Sequence, residues 1–160
     1  MSTDEKPMVA TYGCGPCIAL GGYDPTNKMA FVVHFASRRE VLSGGGQLFY
    51  RISQMARKKI IEPIQLHLRG GESGYSESII AAIRVWMKRR DDLPMKIVSA
   101  DVLGQNTIRS LPIDSRDGRV STYDPLENPH HRNKSAVDDL RALTSAYKPR
   151  ISLAYLPVVG

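Results

Sequence analysis

The stretch 11–34 constrains the fold more than any other part of the chain, because it holds both cysteines and has the pattern of a β-hairpin. Two extended segments rich in small and apolar residues, 9–22 and 29–35, flank the sequence Asp24-Pro25-Thr26-Asn27. Proline at the second position of a turn, with aspartate before it, is typical of a type I turn. The stretch is therefore predicted to fold into two antiparallel strands joined by this turn.

The register of the hairpin decides whether two reactive side chains meet. A turn that closes symmetrically pairs Tyr23 with Lys28 and places Cys17 directly opposite His34. Directly opposed residues on one face have Cβ atoms about 4.5–5.5 Å apart, so the thiol and the imidazole could share a hydrogen bond. A cysteine nucleophile with a histidine base requires this arrangement. The alternative is a buried apolar cysteine beside a core histidine, and a bulge in the turn would separate the pair.

Composition predicts one globular domain of 160 residues, since 42% of the residues are hydrophobic and 24% are charged. The apolar runs are too short to cross a bilayer, and residues 1–7 lack the apolar core of a signal peptide. We therefore predict a cytoplasmic protein without membrane insertion, although delivery as a secreted effector is compatible with the sequence. The net charge of +6 is scattered, which favours an acidic protein surface over nucleic acid as a partner.

The spacing Cys14-Gly15-Pro16-Cys17 allows three other interpretations. It is identical to the redox dithiol of thioredoxins, but only thirteen residues precede it, and the two glycines and the turn proline that follow disfavour the required helix. Zinc binding would need further ligands such as the distant pair His130-His131. A Cys14–Cys17 disulfide, formed by oxidation, would remove the proposed nucleophile.

Beyond the hairpin, the hydrophobic pattern predicts an α/β or α+β domain with a mostly antiparallel sheet. The segment 43–46, Ser-Gly-Gly-Gly, is predicted to be a flexible hinge or loop before the first helix, and 69–74 is predicted to be a tight glycine turn. Helices are predicted over 47–59, 76–90 and 135–147, the second with Ser76 as its N-cap. Further strands are predicted over 60–68, 95–102, 107–113, 119–123 and 151–159.

The residues around the predicted hairpin resemble the core of the CheD family of chemoreceptor glutamine deamidases. In that family a threonine is followed six residues later by a cysteine and seventeen residues after that by a histidine, and the same intervals occur here at Thr11, Cys17 and His34. The segments 68–71, 101–110 and 117–120 resemble further family motifs. The chain departs from the family at Pro16, where serine is usual, and at the additional Cys14.

The resemblance implies a layered α/β/α sandwich around a mostly antiparallel mixed sheet, with a single domain 1–160 whose core is 8–123 and whose extension is 124–160. It implies hydrolysis of a glutamine side-chain amide in a protein substrate, such as chemoreceptor helices or a host protein, without a cofactor or metal. Cys17 would be the nucleophile, and His34 would hold it as a thiolate of lowered pKa. Thr11 would orient the imidazole. A catalytically idle binding protein on the same scaffold is the alternative.

Overall fold

The computed structural model describes residues 8–104, 109–121 and 150–155. In chain order the elements are β1 (Met8–Cys14), β2 (Ile18–Asp24), β3 (Met29–Phe35), α1 (Arg38–Met55), β4 (Ile64–Glu72), α2 (Glu77–Lys88), β5 (Met95–Gly104), β6 (Arg109–Asp114) and β7 (Arg150–Tyr155). The predicted bounds of β3 are confirmed, and α2 is three residues shorter than predicted.

The strands of the described residues form two sheets. Five strands pair in the order β5-β4-β2-β3-β7, and β1 pairs with β6 in a separate two-stranded sheet. Every pairing is antiparallel except the parallel pairing of β4 with β5. The predicted α+β class and its mostly antiparallel mixed sheet are therefore confirmed. Within the described residues, no helix has both the length and the apolar character needed to cross a bilayer.

The two faces of the five-stranded sheet are covered differently. Alternation along β2 directs Ile18 and Leu20 into a core shared with both helices, whereas Ala19 and Tyr23 face β1 and β6 in a second core. In the part of the chain that the structure describes, the layers are thus helices, the five-stranded sheet and the two-stranded sheet. The predicted third helix, 135–147, lies outside the described residues, so the α/β/α layering stays a prediction.

Helix α1 begins earlier than the sequence pattern predicts. The Ser37 hydroxyl accepts a hydrogen bond from the Glu40 amide at 3.2 Å and caps the helix, which then runs through Gly44-Gly45-Gly46 without interruption. A Cβ atom on Gly45 would lie 2.5 Å from two atoms of the Trp86 indole on α2. The predicted hinge at 43–46 is therefore wrong, because one of these glycines permits two helices to approach closely.

Candidate active site

Cys17 lies in the bend that joins β1 to β2, and its backbone is fixed by the connection between β4 and α2. The Gly71 amide donates to the carbonyls of both Gly15 and Cys17, at 2.8 and 2.9 Å. The Ser76 hydroxyl donates to the Pro16 carbonyl at 2.6 Å. Three successive carbonyls of the bend are thus held from one side. Ser76 occupies the predicted N-cap position of α2, but its hydroxyl donates to the Pro16 carbonyl of the Cys17 bend and makes no capping bond.

Two glycines of β4 are required for this packing. Gly70 and Gly71 have φ values of +92° and +83°, which side chains rarely adopt. A Cβ atom on Gly70 would lie 2.5 Å from the Cys17 carbonyl oxygen and 2.6 Å from the Cys14 Cβ. The predicted tight turn at 69–74 is wrong in its first part, because β4 continues to Glu72. These glycines instead let the strand lie directly against the cysteine bend.

The predicted hairpin forms, but its register differs from the prediction. Asp24 pairs with Met29, and His34 pairs with Ala19 instead of Cys17. The prediction that Cys17 lies directly opposite His34 is therefore wrong. A shift of two residues keeps both side chains on one face, since side chains alternate with a period of two. The pairing ends at Ile18 and Phe35, so Cys17 lies in the bend one residue beyond it and two residues before Ala19, the partner of His34.

The turn explains this register. The Asp24 carboxylate accepts hydrogen bonds from the amides of Thr26 and Asn27 and from the Asn27 side chain. Lys28 adopts a left-handed conformation with φ of +50°. These contacts stabilise a loop of four residues, 25–28, between the paired ends of the strands. The symmetrical turn closed by Tyr23 and Lys28 would also have had four loop residues, 24–27, so the two registers differ in the position of the loop and not in its length.

The three predicted catalytic residues lie at the interface between the two sheets. Thr11 is on the same side of β1 as Val9, which is buried in the core between the sheets, so it points toward the five-stranded sheet. His34 is on the same side of β3 as Val32 and points toward β1, and its Nε2 nitrogen is fully enclosed. Cys17 precedes β2 on the same side as Ala19 and is 8% exposed.

Glu40 is a neighbour of Cys17 that the sequence did not reveal. Its Oε2 atom accepts a hydrogen bond from the Ala36 amide at 2.6 Å. The β2–β3 register, continued by one pair beyond Ile18 and Phe35, puts Ala36 opposite Cys17. Burial, and to a lesser extent the Glu40 carboxylate, raise the pKa of the Cys17 thiol above its ordinary value. The expectation of a lowered pKa at Cys17 is thus wrong for the free protein.

Cys14 is a completely buried thiol at the end of β1. Burial, together with the proximity of Cys17, raises the pKa of the Cys14 thiol to about 12, while a hydrogen bond from the Ala19 amide acts in the opposite direction. Both cysteines are free thiols, and the motif lies between two strands. The helix N-terminus that activates a thioredoxin cysteine does not follow it. The disulfide interpretation stays a prediction.

The zinc interpretation rested on His130 and His131, which lie outside the described residues. Among residues 8–104, 109–121 and 150–155, no three histidine, cysteine or acidic side chains are grouped as a metal would require.

A second polar cluster occupies the same sheet face on the other side of β2. The His67 Nδ1 atom lies 2.7 Å from the Ser99 hydroxyl, to which Arg69 donates at 3.1 Å. Since the Arg69 bond occupies a lone pair of the hydroxyl, Ser99 can donate its proton to Nδ1 of a neutral imidazole. Burial, and secondarily the charge of Arg69, lower the pKa of His67 to about 4. His67 is 8% exposed.

Protonation of His67 is expected to destabilise the fold in mild acid. The unfolded chain binds this proton near pH 6.5, whereas the folded protein binds it only near pH 4. Between these values the unfolded state holds more protons, so the free energy of unfolding falls as the pH falls, by up to roughly 3 kcal/mol. Urea unfolding across this range measures the effect. The His67→Gln variant should lose this part of the pH dependence, and an unchanged slope in the variant would contradict the assignment.

Comparison with known protein families gives no match for this chain. Among curated proteins, the chain is similar to an uncharacterized protein of Acanthamoeba polyphaga mimivirus, with 24% identity over 175 residues. The alignment covers 97% of this chain and 64% of the mimivirus protein, so the chain spans less than two thirds of that relative's length.

Proposed function

We propose that this protein is a cysteine-dependent hydrolase that deamidates glutamine side chains of a protein substrate. The observation that carries the proposal is that His34 pairs with Ala19, two residues after Cys17, and that Thr11 lies on the strand that covers this face of the sheet. The intervals between these three residues are those of the CheD family. That relationship is part of the proposal, as is the α/β/α sandwich that it implies.

The fixed backbone of the bend supports a role in stabilising an oxyanion. The peptide between Pro16 and Cys17 is trans, so its N–H points opposite to its C=O. Because Ser76 binds that carbonyl, the Cys17 amide points away from α2. A fixed backbone N–H beside the nucleophile is the type of donor that stabilises the charge on a tetrahedral intermediate. Pro16 has no N–H and cannot contribute a second donor.

The raised pKa of Cys17 determines how the first step would proceed. The thiol is neutral in the free protein, so His34 would accept its proton as the sulfur attacks the amide carbon. The resulting imidazolium then protonates the leaving nitrogen, the C–N bond breaks and ammonia departs from a thioester. His34 next removes a proton from water, which attacks the thioester carbon, and the S–C bond breaks to give glutamate and the thiol. Thr11 would orient the imidazole.

The limited exposure of Cys17 favours a side chain over a main-chain amide as the substrate. Only 8% of Cys17 is accessible, whereas Pro16 before it is exposed. Among the described residues, and apart from the two neighbours of Gly15 in the chain, no heavy atom lies within 4 Å of the position that a Cβ atom on Gly15 would take. A glutamine side chain, which is narrow and extended, can enter beside this open backbone while the rest of the substrate stays on the surface.

An idle binding protein is the second candidate, and the raised pKa of Cys17 is the observation that favours it. A cysteine that is no longer a nucleophile does not need to form a thiolate. Burial and the Glu40 carboxylate both disfavour the thiolate of Cys17, as expected for such a cysteine. Thr11, Cys17 and His34 would then persist as packing residues of the interface between the sheets.

The experiment that separates these candidates measures the product directly. The protein is incubated with purified helical chemoreceptor segments and with proteins of a host-cell lysate, and peptide mass spectrometry identifies glutamines converted to glutamate. Released ammonia is measured in the same samples. We expect stoichiometric ammonia and conversion at one or a few sites, absent from a preparation whose thiols were first alkylated. Equal conversion by the alkylated protein, or none in any substrate, would contradict the proposal.

A further inference from the structure

The contacts of Glu40 place a carboxylate beside the nucleophile by two independent features. The capping bond from Ser37 fixes the first turn of α1, and the bond from the Ala36 amide fixes the end of the Glu40 side chain. Ala36 directly follows Phe35, and Cys17 directly precedes its partner Ile18. The carboxylate is thus bonded to the residue that adjoins the last pair of the hairpin, and the thiol adjoins the same pair on the other strand.

Within the part of the chain that the structure describes, Glu40 is the charged group that raises the pKa of Cys17, and the other elements around the thiol present different groups. Cys14 on β1 is a neutral thiol with a pKa of about 12, and His34 on β3 carries either no charge or a positive one. On β4, the Arg69 guanidinium bonds the Leu68 carbonyl and the Ser99 hydroxyl, on the side away from β3. From α2, the contact with the bend is the hydroxyl of its N-cap serine.

We propose that Glu40 is a positioning residue for the nucleophile: its carboxylate, held by the Ala36 amide, adds to burial in keeping the Cys17 thiol protonated until the sulfur attacks a bound substrate. The thiolate is the form that reacts with oxidants and alkylating agents. A protonated thiol is protected from these reactions, and its proton is transferred to His34 only within the substrate complex. The role in turnover rests on the proposed deamidase activity, whereas the effect on the free thiol does not depend on it.

The test measures the reactivity of Cys17 without any substrate. In a Cys14→Ser background, the rate of alkylation by iodoacetamide is followed by intact mass as a function of pH. The Glu40→Gln variant should shift the pH midpoint of this rate downward. Each pH unit by which the midpoint falls gives about tenfold more thiolate near pH 7, and the weaker nucleophilicity of the more acidic thiol removes a factor of about three, so we expect alkylation to be about threefold faster for each such unit.

Glu77 provides a matched control. It lies in the first turn of α2, and its carboxylate accepts a backbone hydrogen bond from the Gly74 amide at 2.8 Å, as Glu40 does from Ala36. The Glu77→Gln variant should alkylate at the rate of the parent. Equal rates for Glu40→Gln and the parent would overturn the proposal.

If Glu40→Gln fails to fold, Glu40→Asp retracts the charge by one methylene and must give an intermediate shift. An unchanged midpoint in a folded Glu40→Asp protein would also overturn the proposal. A shift in alkylation without deamidation in any substrate would leave the role of Glu40 standing and contradict only the proposed function.

Discussion

Replacing Cys17 by alanine is expected to abolish glutamine deamidation, with kcat/KM lowered at least about 1,000-fold. The thiol forms the covalent bond to the substrate. Its neighbours in the chain, Pro16 and Ile18, have no hydroxyl or carboxylate that could replace it as the nucleophile. Cys14→Ala is the matched control, because it removes the thiol that precedes the same bend and that is completely buried, out of reach of a substrate. That variant should keep deamidation within about threefold of the native rate. Deamidation that survives Cys17→Ala would disprove the assignment of the nucleophile.

The His34→Gln variant tests the second member of the pair. We expect it to lose at least about 100-fold in kcat/KM, since a positioned acid–base group contributes about 10²–10⁴-fold. His67→Gln is the control, because His67 is also a buried histidine on this sheet face. It lies on β4 and pairs with Gly21 of β2, two residues further from Cys17 than Ala19, the partner of His34. Combining Cys17→Ala with His34→Gln should cost little more than either change alone, because the two residues act as a unit. An equal loss in both histidine variants would indicate a general effect on the sheet.

In the hairpin, the sequence predicts the two strands and the face that carries His34, but not the register between the strands. Alternation and turn chemistry identify both strands and place Cys17 and His34 on one face, because any shift by an even number of residues preserves the face. The position of the four-residue loop depends on how the Asp24 carboxylate distributes its hydrogen bonds among the amides and the Asn27 side chain. Several loops are compatible with Asp-Pro, so the pattern alone could not fix which residue faces His34.

Glu40 and Ser76 were missed as site residues because their roles depend on tertiary contacts. Ser37 and Glu40 have the spacing of a capping box, which would have located the start of α1. That pattern does not reveal that the carboxylate binds the Ala36 amide opposite Cys17. Ser76 was predicted to cap α2, yet its hydroxyl binds the Pro16 carbonyl, sixty residues away in the chain. Contacts of this separation follow from strand order, which the sequence did not indicate.

The glycines of α1 are a second case in which a tertiary contact, and not the local sequence, decides the structure. Three consecutive glycines are unfavourable in a helix, by about 1 kcal/mol each relative to alanine, so local propensity predicts a hinge. The structure offsets this cost by close packing, since Trp86 lies where a side chain on Gly45 would be. Propensity describes an isolated helix, whereas the position of Trp86 is decided by how α2 packs on the sheet.

Substitution of Gly45 by valine is accordingly expected to destabilise the protein. A Cβ atom would overlap the Trp86 Cδ1 and Nε1 atoms, and the indole is 8% exposed, so it has little room to move. Overpacking of this kind costs about 1–3 kcal/mol, and the two further methyl groups of valine place the expected loss at the upper end. Thermal unfolding should show a decrease in Tm of roughly 6–12 °C for a domain of this size.

Gly46→Ala is the control for backbone effects. Gly46 is exposed, and its Cβ position has the Arg90 Nη2 atom as its nearest neighbour, at 4.0 Å. Because alanine favours the helical backbone, this change should stabilise the protein by about 0.5–1 kcal/mol. Opposite signs at two adjacent glycines are the signature of close helix packing at Gly45 within a continuous α1. A flexible hinge at 43–46 would instead respond alike to both substitutions, and that result would contradict the packing of α1 against α2.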